Sequence, residues 1–339
     1  MRWIDRLETI VLFLLLSFLY YFTLPVHTPK NIRLTGDSID SIIAELQNKS
    51  VEVGRIDRWI LGRLAPPQKG WIYLGKNRMN RLEFLSEITS PANRFKPVTL
   101  IPGETTVIFL DQLAKSLERN ATKLRRAFSQ LSPYPEAGIL AESYNVPLRY
   151  DEKRIINYLL NLTRRRYRAL AREAGIPYEP KRWLRILTVA SIIQKEAANR
   201  REMPLVASVI YNRLRKKMRL QMDGTLNYGR YSHLRVTPER IRDDNSTYNT
   251  YRHRGLPAAP VCNVSAAAIH AALHPAKTDY LYFFRNDRGT HDFFKTYKAH
   301  LKEVHKKRRE LEKEKKKAGN HSSKSAPKSF SSKSSRSSS

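Results

Sequence analysis

The sequence predicts an α+β protein with an apolar N-terminal helix and a polar, basic C-terminal tail, and three observations predict it. Residues Ile10 to Leu24 (IVLFLLLSFLYYFTL) are uncharged and almost wholly apolar. Between Asn31 and His305, helical periodicities alternate with short strand-like runs such as VTLI and YLYFF. Past His305 the apolar pattern is lost and Lys, Glu and Ser dominate.

The first element is the apolar segment. With Trp3, Ile4 and Leu7 ahead of it, a helix through Ile10 to Leu24 reaches the length needed to cross a bilayer. No small-x-small cleavage pattern follows, only TLPVHTP, so residues 9–25 read as a retained single-pass anchor and not as a cleaved signal peptide. Arg2 and Arg6 favour a cytoplasmic position for residues 1–8, although Asp5 and Glu8 sit among them and Lys30 and Arg33 follow the span. The short N-terminal tail makes export of the remaining chain the expected topology.

Composition bounds the rest. At 339 residues the chain can hold two folded domains plus extra segments, and 41% apolar content is ordinary for a globular chain. A formal charge of +31 is not ordinary, and it points to nucleic acid, an anionic membrane surface or an acidic polymer. The one cysteine, Cys262, excludes an intramolecular disulfide and a cysteine-rich zinc site.

Residues 30–130 read as a small α+β domain. In GDSIDSIIAELQNKSV a capping Asp37 or Ser38 precedes Ile39, Ile42, Ile43 and Leu46 at helical spacing. VTLIPGETTVIFLDQLAKSL then gives a strand, a Pro-Gly turn and a helix through Phe109, Leu110, Leu113 and Leu117. The strand, turn and helix order is similar to the LysM-like module of wall enzymes; a generic α+β spacer fits the same order. Ala121 to Gln130 continues as a basic helix, and SPYPEAG is a loop into the second domain.

Residues 135–305 form that larger mixed α+β domain. Asp151 to Ala174 predicts a helix with Ile155, Ile156, Leu159, Leu160 and Leu162 inside and Arg164, Arg165 and Arg166 outside. Within LTVASIIQKEAANRREMPLVASVIY lies the helix that carries Glu196, and after it Pro204 opens another with Val206, Val209, Ile210 and Leu214 on its buried face. QMDGTLNYGR is a turn-rich loop, DDNSTYNTYRHRGLPAAP a polar and aromatic stretch, Ser265 to Leu273 an alanine-rich helix, and Tyr280 to Phe284 a strand.

Within this domain, Val189, Ile192, Ile193 and Glu196 fall at i, i+3, i+4 and i+7, which puts a carboxylate on an apolar helix face. Desolvation there would raise its pKa, as a general acid working near neutral pH requires. The plainer alternative is that Glu196 ends its helix paired with Arg200 or Arg201. His270 and His274 stand at a metal-ligand spacing on the alanine-rich helix, but HPA reads more simply as a helix end and no HExxH motif occurs, so no metal and no cofactor are expected. Residues 306–339 begin as a charged helix extension and should become disordered from about Gly319. They hold twelve Lys or Arg against three Glu, or +9, which leaves +22 on the body.

At this point a family resemblance emerges. The run LTVASIIQKEAANRREMPLVASVIYNRLRKKMRLQMDGTLNYG, with STYNTYRHRGLPAAPVCN, AALHPAKTDYLYFF and GTHDFFKTYKAH after it, resembles the endolytic murein transglycosylase family, the YceG-like proteins, over about residues 135–305. The resemblance implies a bitopic inner-membrane lyase whose periplasmic domain cuts nascent peptidoglycan glycan strands between N-acetylmuramic acid and N-acetylglucosamine, leaving 1,6-anhydro ends. It implies Glu196 as the catalytic acid and His291, in GTHDF, as a groove residue. Gln221, Asp223, Tyr248, Asn249 and Tyr251 are of the right types to hold sugar, and equally of the types that cap loops and turns. Cell wall synthases (penicillin-binding proteins) are the protein partners such an enzyme would have; nucleic acid is not expected. The chain departs from the family pattern at Gln194, where an acid is often found, at Gly224 and Thr247, each in place of Pro, and at Ala141 and Glu142 in EAGILAESY. Two other readings compete: Asp223 as a second acid, which would make the chain a hydrolase, and a membrane-anchored basic scaffold binding anionic lipid or wall polymer without catalysis.

Overall fold

A computed structural model describes residues 2–64, 67 and 69–324. Helix α1 (Arg2–Thr23) is long and apolar enough to cross a membrane, with a mean hydropathy of 1.5 over Arg6–Thr23 and none of that window buried. Only Leu24 separates it from strand β1 (Pro25–His27). There Tyr21 and Phe22 turn onto the first hydrophobic cluster, and Arg81 Nη1 donates to the Tyr21 hydroxyl at 3.0 Å.

That first cluster is closed by two antiparallel pairs. β1 pairs with β4 (Arg78–Asn80) in the register Val26↔Met79, and β2 (Asn31–Leu34) pairs with β3 (Gly70–Tyr73) in the register Ile32↔Ile72. Helices α2 (Ile39–Asn48), α3 (Arg55–Leu61) and α4 (Arg81–Thr89) cover them. Ser38 caps α2, and the predicted Ile42, Ile43 and Leu46 are its buried residues.

The strand, turn and helix of VTLIPGETTVIFLDQLAKSL form as expected but pack elsewhere. β5 (Phe95–Thr99) pairs with β6 (Ser143–Pro147) in the register Val98↔Tyr144. Gly103 turns the chain at φ 92°, a left-handed value that favours glycine, into α5 (Thr106–Leu117). α5, α6 (Ala121–Leu131) and α7 (Glu152–Glu173) then bury one cluster, with Leu100, Phe109, Leu113, Leu124, Ile156 and Leu159 inside. The expected 30–130 module is thus divided: residues 26–88 share one core, while 98–128 share another with 139–160. Strand pairing across 44 to 52 positions decided this, a contact that local pattern does not carry.

The third cluster surrounds α8 (Pro180–Glu196). Pro180 sits in its first turn, where a missing amide costs nothing. From Leu187 to Ile193 every side chain of α8 is buried, so the helix is enclosed and not merely amphipathic. α9 (Met203–Arg215) and α11 (Ala266–Leu273) pack on it, the latter through Ala268, Ile269, Ala271 and Ala272. The extended segment through Val261 closes the remaining side, where the Val261 amide donates to Ser191 Oγ at 3.0 Å and the Cys262 thiol to the Ser191 carbonyl at 3.5 Å. Burying each Leu or Ile here stabilises the fold by about 1.5–3 kcal/mol. Short α10 (Pro238–Asp243), the hairpin β7 (Tyr282–Arg285) and β8 (His291–Phe294), and α12 (Tyr297–Lys324) complete the chain. Helix α12 runs to Lys324, five residues beyond Gly319, where the disordered tail was expected to begin. Residues 325–339 of the predicted tail lie outside the described residues.

Candidate active site

Glu196 is the last residue of α8. Enclosure of the preceding turns fixes where it points, and a tight turn, Asp223–Leu226, comes up against it. The amide of Gly224 donates to Glu196 Oε1 at 2.7 Å. A Cβ on residue 224 would stand 2.9 Å from that oxygen and 2.5 Å from Lys195 Cβ, so the approach requires glycine.

Burial pushes the Glu196 carboxyl up to about 7; the Gly224 amide and the charge of Arg213 work against the rise, and that of Asp223 adds to it. The side chain keeps partial access to solvent through the pocket, while protein closes around its carboxyl group. Its place at the negative end of the helix dipole also disfavours ionisation. The alternative pairing with Arg200 or Arg201 is not formed; both are exposed, and no described ion pair includes Glu196.

A pocket of about 350 Å³ opens at this carboxyl, lined by Glu196, Arg213, Gln221, Asp223, Tyr251 and Tyr282 together with Phe283 and His300. Gln221 takes a left-handed φ of 49°, its amide donating to the Thr250 carbonyl at 3.2 Å. The Tyr251 hydroxyl donates to Asp223 Oδ1 at 2.6 Å, and burial, then Asp223, push its pKa up. Three of the expected substrate residues, Gln221, Asp223 and Tyr251, therefore meet Glu196 at one pocket.

The other three lie elsewhere. Asn249 is fully buried, its amide donating to the carbonyls of Ile241 and Asp244 at 2.8 and 2.7 Å while its oxygen accepts from the Tyr251 amide at 3.1 Å. It staples the loop that presents Tyr251, with no polar atom left for sugar. Tyr248 stacks on Tyr228 with centroids 4.3 Å apart and is not in the pocket wall. His291 is held by Glu202, its Nδ1 2.7 Å from Oε2 and its amide donating to Oε1 at 2.9 Å. The acid opening α9 holds it, and it is not among the residues that line the pocket at Glu196.

Arg213 was missed. It is 8% exposed, its Nε donating to the Leu281 carbonyl at 2.6 Å and its Nη1 to that of Leu220 at 2.5 Å, with the guanidinium over the Tyr282 ring. In the sequence it is one cation within NRLRKK, and nothing distinguishes it from its exposed neighbours. His300 was also missed: its Nδ1 is buried with no hydrogen-bond partner, and burial followed by the charge of Arg213 lowers its pKa. His270 and His274 are exposed with ring centroids 4.7 Å apart, and among the described residues no group of three or more His, Cys, Asp or Glu could hold a metal ion.

The chain is a mixed α+β protein with a desolvated acid at the end of an enclosed helix, and comparison with known proteins gives its family. Residues 34–306 match the YceG-like family, and the chain belongs to that family. It is 43% identical over 118 residues to the endolytic murein transglycosylase of Bacillus subtilis (strain 168), covering 35% of this chain and 33% of that protein. It is 35% identical over 103 residues to the protein of the same description from Streptococcus pneumoniae serotype 2 (strain D39 / NCTC 7466), covering 29% of this chain and 19% of that one. The chain thus spans a third or less of these relatives. The crystal structure of a YceG-like protein from Listeria monocytogenes superposes with a TM-score of 0.53 at 26% identity, over 82% of this chain and 98% of that one.

Proposed function

We propose that this chain is an endolytic peptidoglycan lytic transglycosylase in which Glu196 is the acid. The observation that carries the reading is the carboxyl pushed up to about 7 at a pocket, in a family whose relatives are described as endolytic murein transglycosylases. Protonated Glu196 donates to the oxygen linking N-acetylmuramic acid to N-acetylglucosamine as positive charge develops at the anomeric carbon. As carboxylate it then takes the proton of the same sugar's 6-hydroxyl, whose oxygen closes the 1,6-anhydro ring. Water is not consumed. The Gly224 amide holds the carboxyl in place, and with the charge of Arg213 it offsets part of the desolvation, while Tyr251, Asp223 and Gln221 supply polar contacts to the sugar. In this reading α1 anchors the chain in the inner membrane, the folded body faces the periplasm, and wall synthases are partners whose nascent strands it shortens.

Digestion of purified wall glycan tests the reaction: 1,6-anhydro-muramyl ends are expected, and reducing ends would overturn it. One observation favours a second reading, since Asp223 lines the same pocket and could serve as a second carboxylate. Asp223→Asn separates the two, because a hydrolase would lose turnover as completely as with Glu196 replaced.

A further inference from the structure

We infer that the arginine face of α7 is a second binding site, which holds a carboxylate-bearing stretch of glycan strand away from the cutting pocket. Arg154, Tyr158, Asn161, Arg165, Arg168 and Arg172 follow one another at intervals of three or four residues, so they form one stripe along the helix. From Arg154 to Arg172 the stripe runs about 27 Å at 1.5 Å per residue. It is not a flat charged surface. Arg154, Tyr158 and Arg165 line a cleft of about 620 Å³ against Tyr73 and Arg149, and Arg165 also opens a second hollow of about 390 Å³ with Arg168, Arg172 and Tyr178. Arg165 joins the two into one track.

The chemistry of the track selects its occupant. Arg154, Arg165, Arg168 and Arg172 are exposed, and no described ion pair or hydrogen bond engages their guanidinium groups. By contrast Arg166, off the stripe, pairs with Glu142, and Arg149 pairs with Glu87. Four uncommitted forks in a row suit carboxylates repeated along a polymer. Between them Tyr73, Tyr150 and Tyr158 pack edge to face at 5.7 and 5.8 Å, with Asn157 and Asn161 beside them. Tilted rings flanked by amides match the apolar face and equatorial hydroxyls of a pyranose better than a column of planar bases, and a cleft excludes a flat bilayer. Glycan whose stem peptides bear free carboxylates has both features.

This inference rests on the proposed glycan reading, and α8 sets its geometry. The track ends at Tyr178, two residues before α8 begins, and Glu196 lies at the other end of that 17-residue helix, about 24 Å away. A strand lying in the track is held well away from the bond being cut, which favours internal over terminal cleavage.

The test uses the full chain in nanodiscs of neutral lipid. On a Glu196→Gln background, which prevents cutting, binding of long uncrosslinked strands that carry stem peptides is compared with and without Arg154→Ala, Arg165→Ala and Arg168→Ala. The triple variant should bind these strands about tenfold more weakly. Removing the stem peptides from the strands should reduce the difference. With Glu196 intact, the triple variant should cut short oligosaccharides at the wild-type rate, which also shows that it folds. Unchanged affinity for long strands would overturn the proposal, as would single-stranded DNA bound as tightly as glycan. Strands held through the arginines but never cut by the Glu196 protein would overturn the proposed reaction and leave this site standing.

Discussion

The amide of Gly224 and the carboxylate of Glu196 meet at 2.7 Å, and the contact joins a turn to a helix end across 28 residues of chain. The approach is too close for any side chain at position 224. Gly224→Ala should therefore shift Glu196 from its place without unfolding the domain. A fall of about a hundredfold in kcat on glycan is expected, with little change in Tm. Wild-type kcat in this variant would show that the contact does not position the acid.

Glu196→Gln keeps the shape and can still accept from the Gly224 amide, but it cannot donate a proton to a leaving oxygen. Cleavage should fall by about 10²–10⁴-fold, read as the release of 1,6-anhydro ends from purified strands. A folded variant with ordinary turnover would remove Glu196 from the catalytic role.

The raised pKa of Glu196 gives activity a sign with pH. Because the acid must start protonated, kcat/KM should be flat below pH 7 and fall about tenfold per unit above it. A profile that rose through pH 7 would mean that the ionised form starts the reaction.

Stability follows the same group in the opposite sense to an ion-paired carboxylate. Glu196 titrates near 7 in the folded chain and near 4.5 in the unfolded one, so between these values the folded state binds more protons and stability falls as pH rises. Replacement by Gln removes that penalty. The Tm of Glu196→Gln should match wild type near pH 4 and exceed it by several degrees at pH 8. A Tm difference that stays constant from pH 4 to pH 8 would count against the shift.

Asn249→Ala reports on a different role. Its buried amide serves two half-buried carbonyls, and removing it should cost about 2 kcal/mol, roughly 4–8 °C in Tm. A residue that only touched sugar would leave Tm alone and raise KM.

Glu196 was legible in the sequence because its spacing from Val189, Ile192 and Ile193 is local, and so were the faces of α2, α7 and α9. What stayed hidden depended on distant partners. The partner of His291 is Glu202, 89 positions earlier, a contact that the local pattern of GTHDF does not carry. Asn249 reads the same in a loop whether its amide meets sugar or the carbonyl of Ile241. Likewise the strand that ends in Val98 and Thr99 pairs with a segment 44 to 52 residues ahead, and this moved it into a core it could not announce. Gln194, a departure from the family pattern, accepts from the Ser265 hydroxyl at 2.7 Å, so a neutral side chain suffices to tie α8 to the start of α11.

The seam between Ser191 and Cys262 gives the chain a built-in clock. Cys262 is its one thiol, is wholly shielded, and is pushed up to about 12 by burial, so on both counts the native fold withholds it from reagents. It cannot serve as a tag for which side of a membrane the body faces while the protein is folded. Labelling can proceed only when the segment through Val261 lifts off α8, and the rate of labelling then measures how often that happens. Because α8 ends in Glu196, an occupant that steadies the helix end should slow the clock, and binding could be timed with no turnover at all.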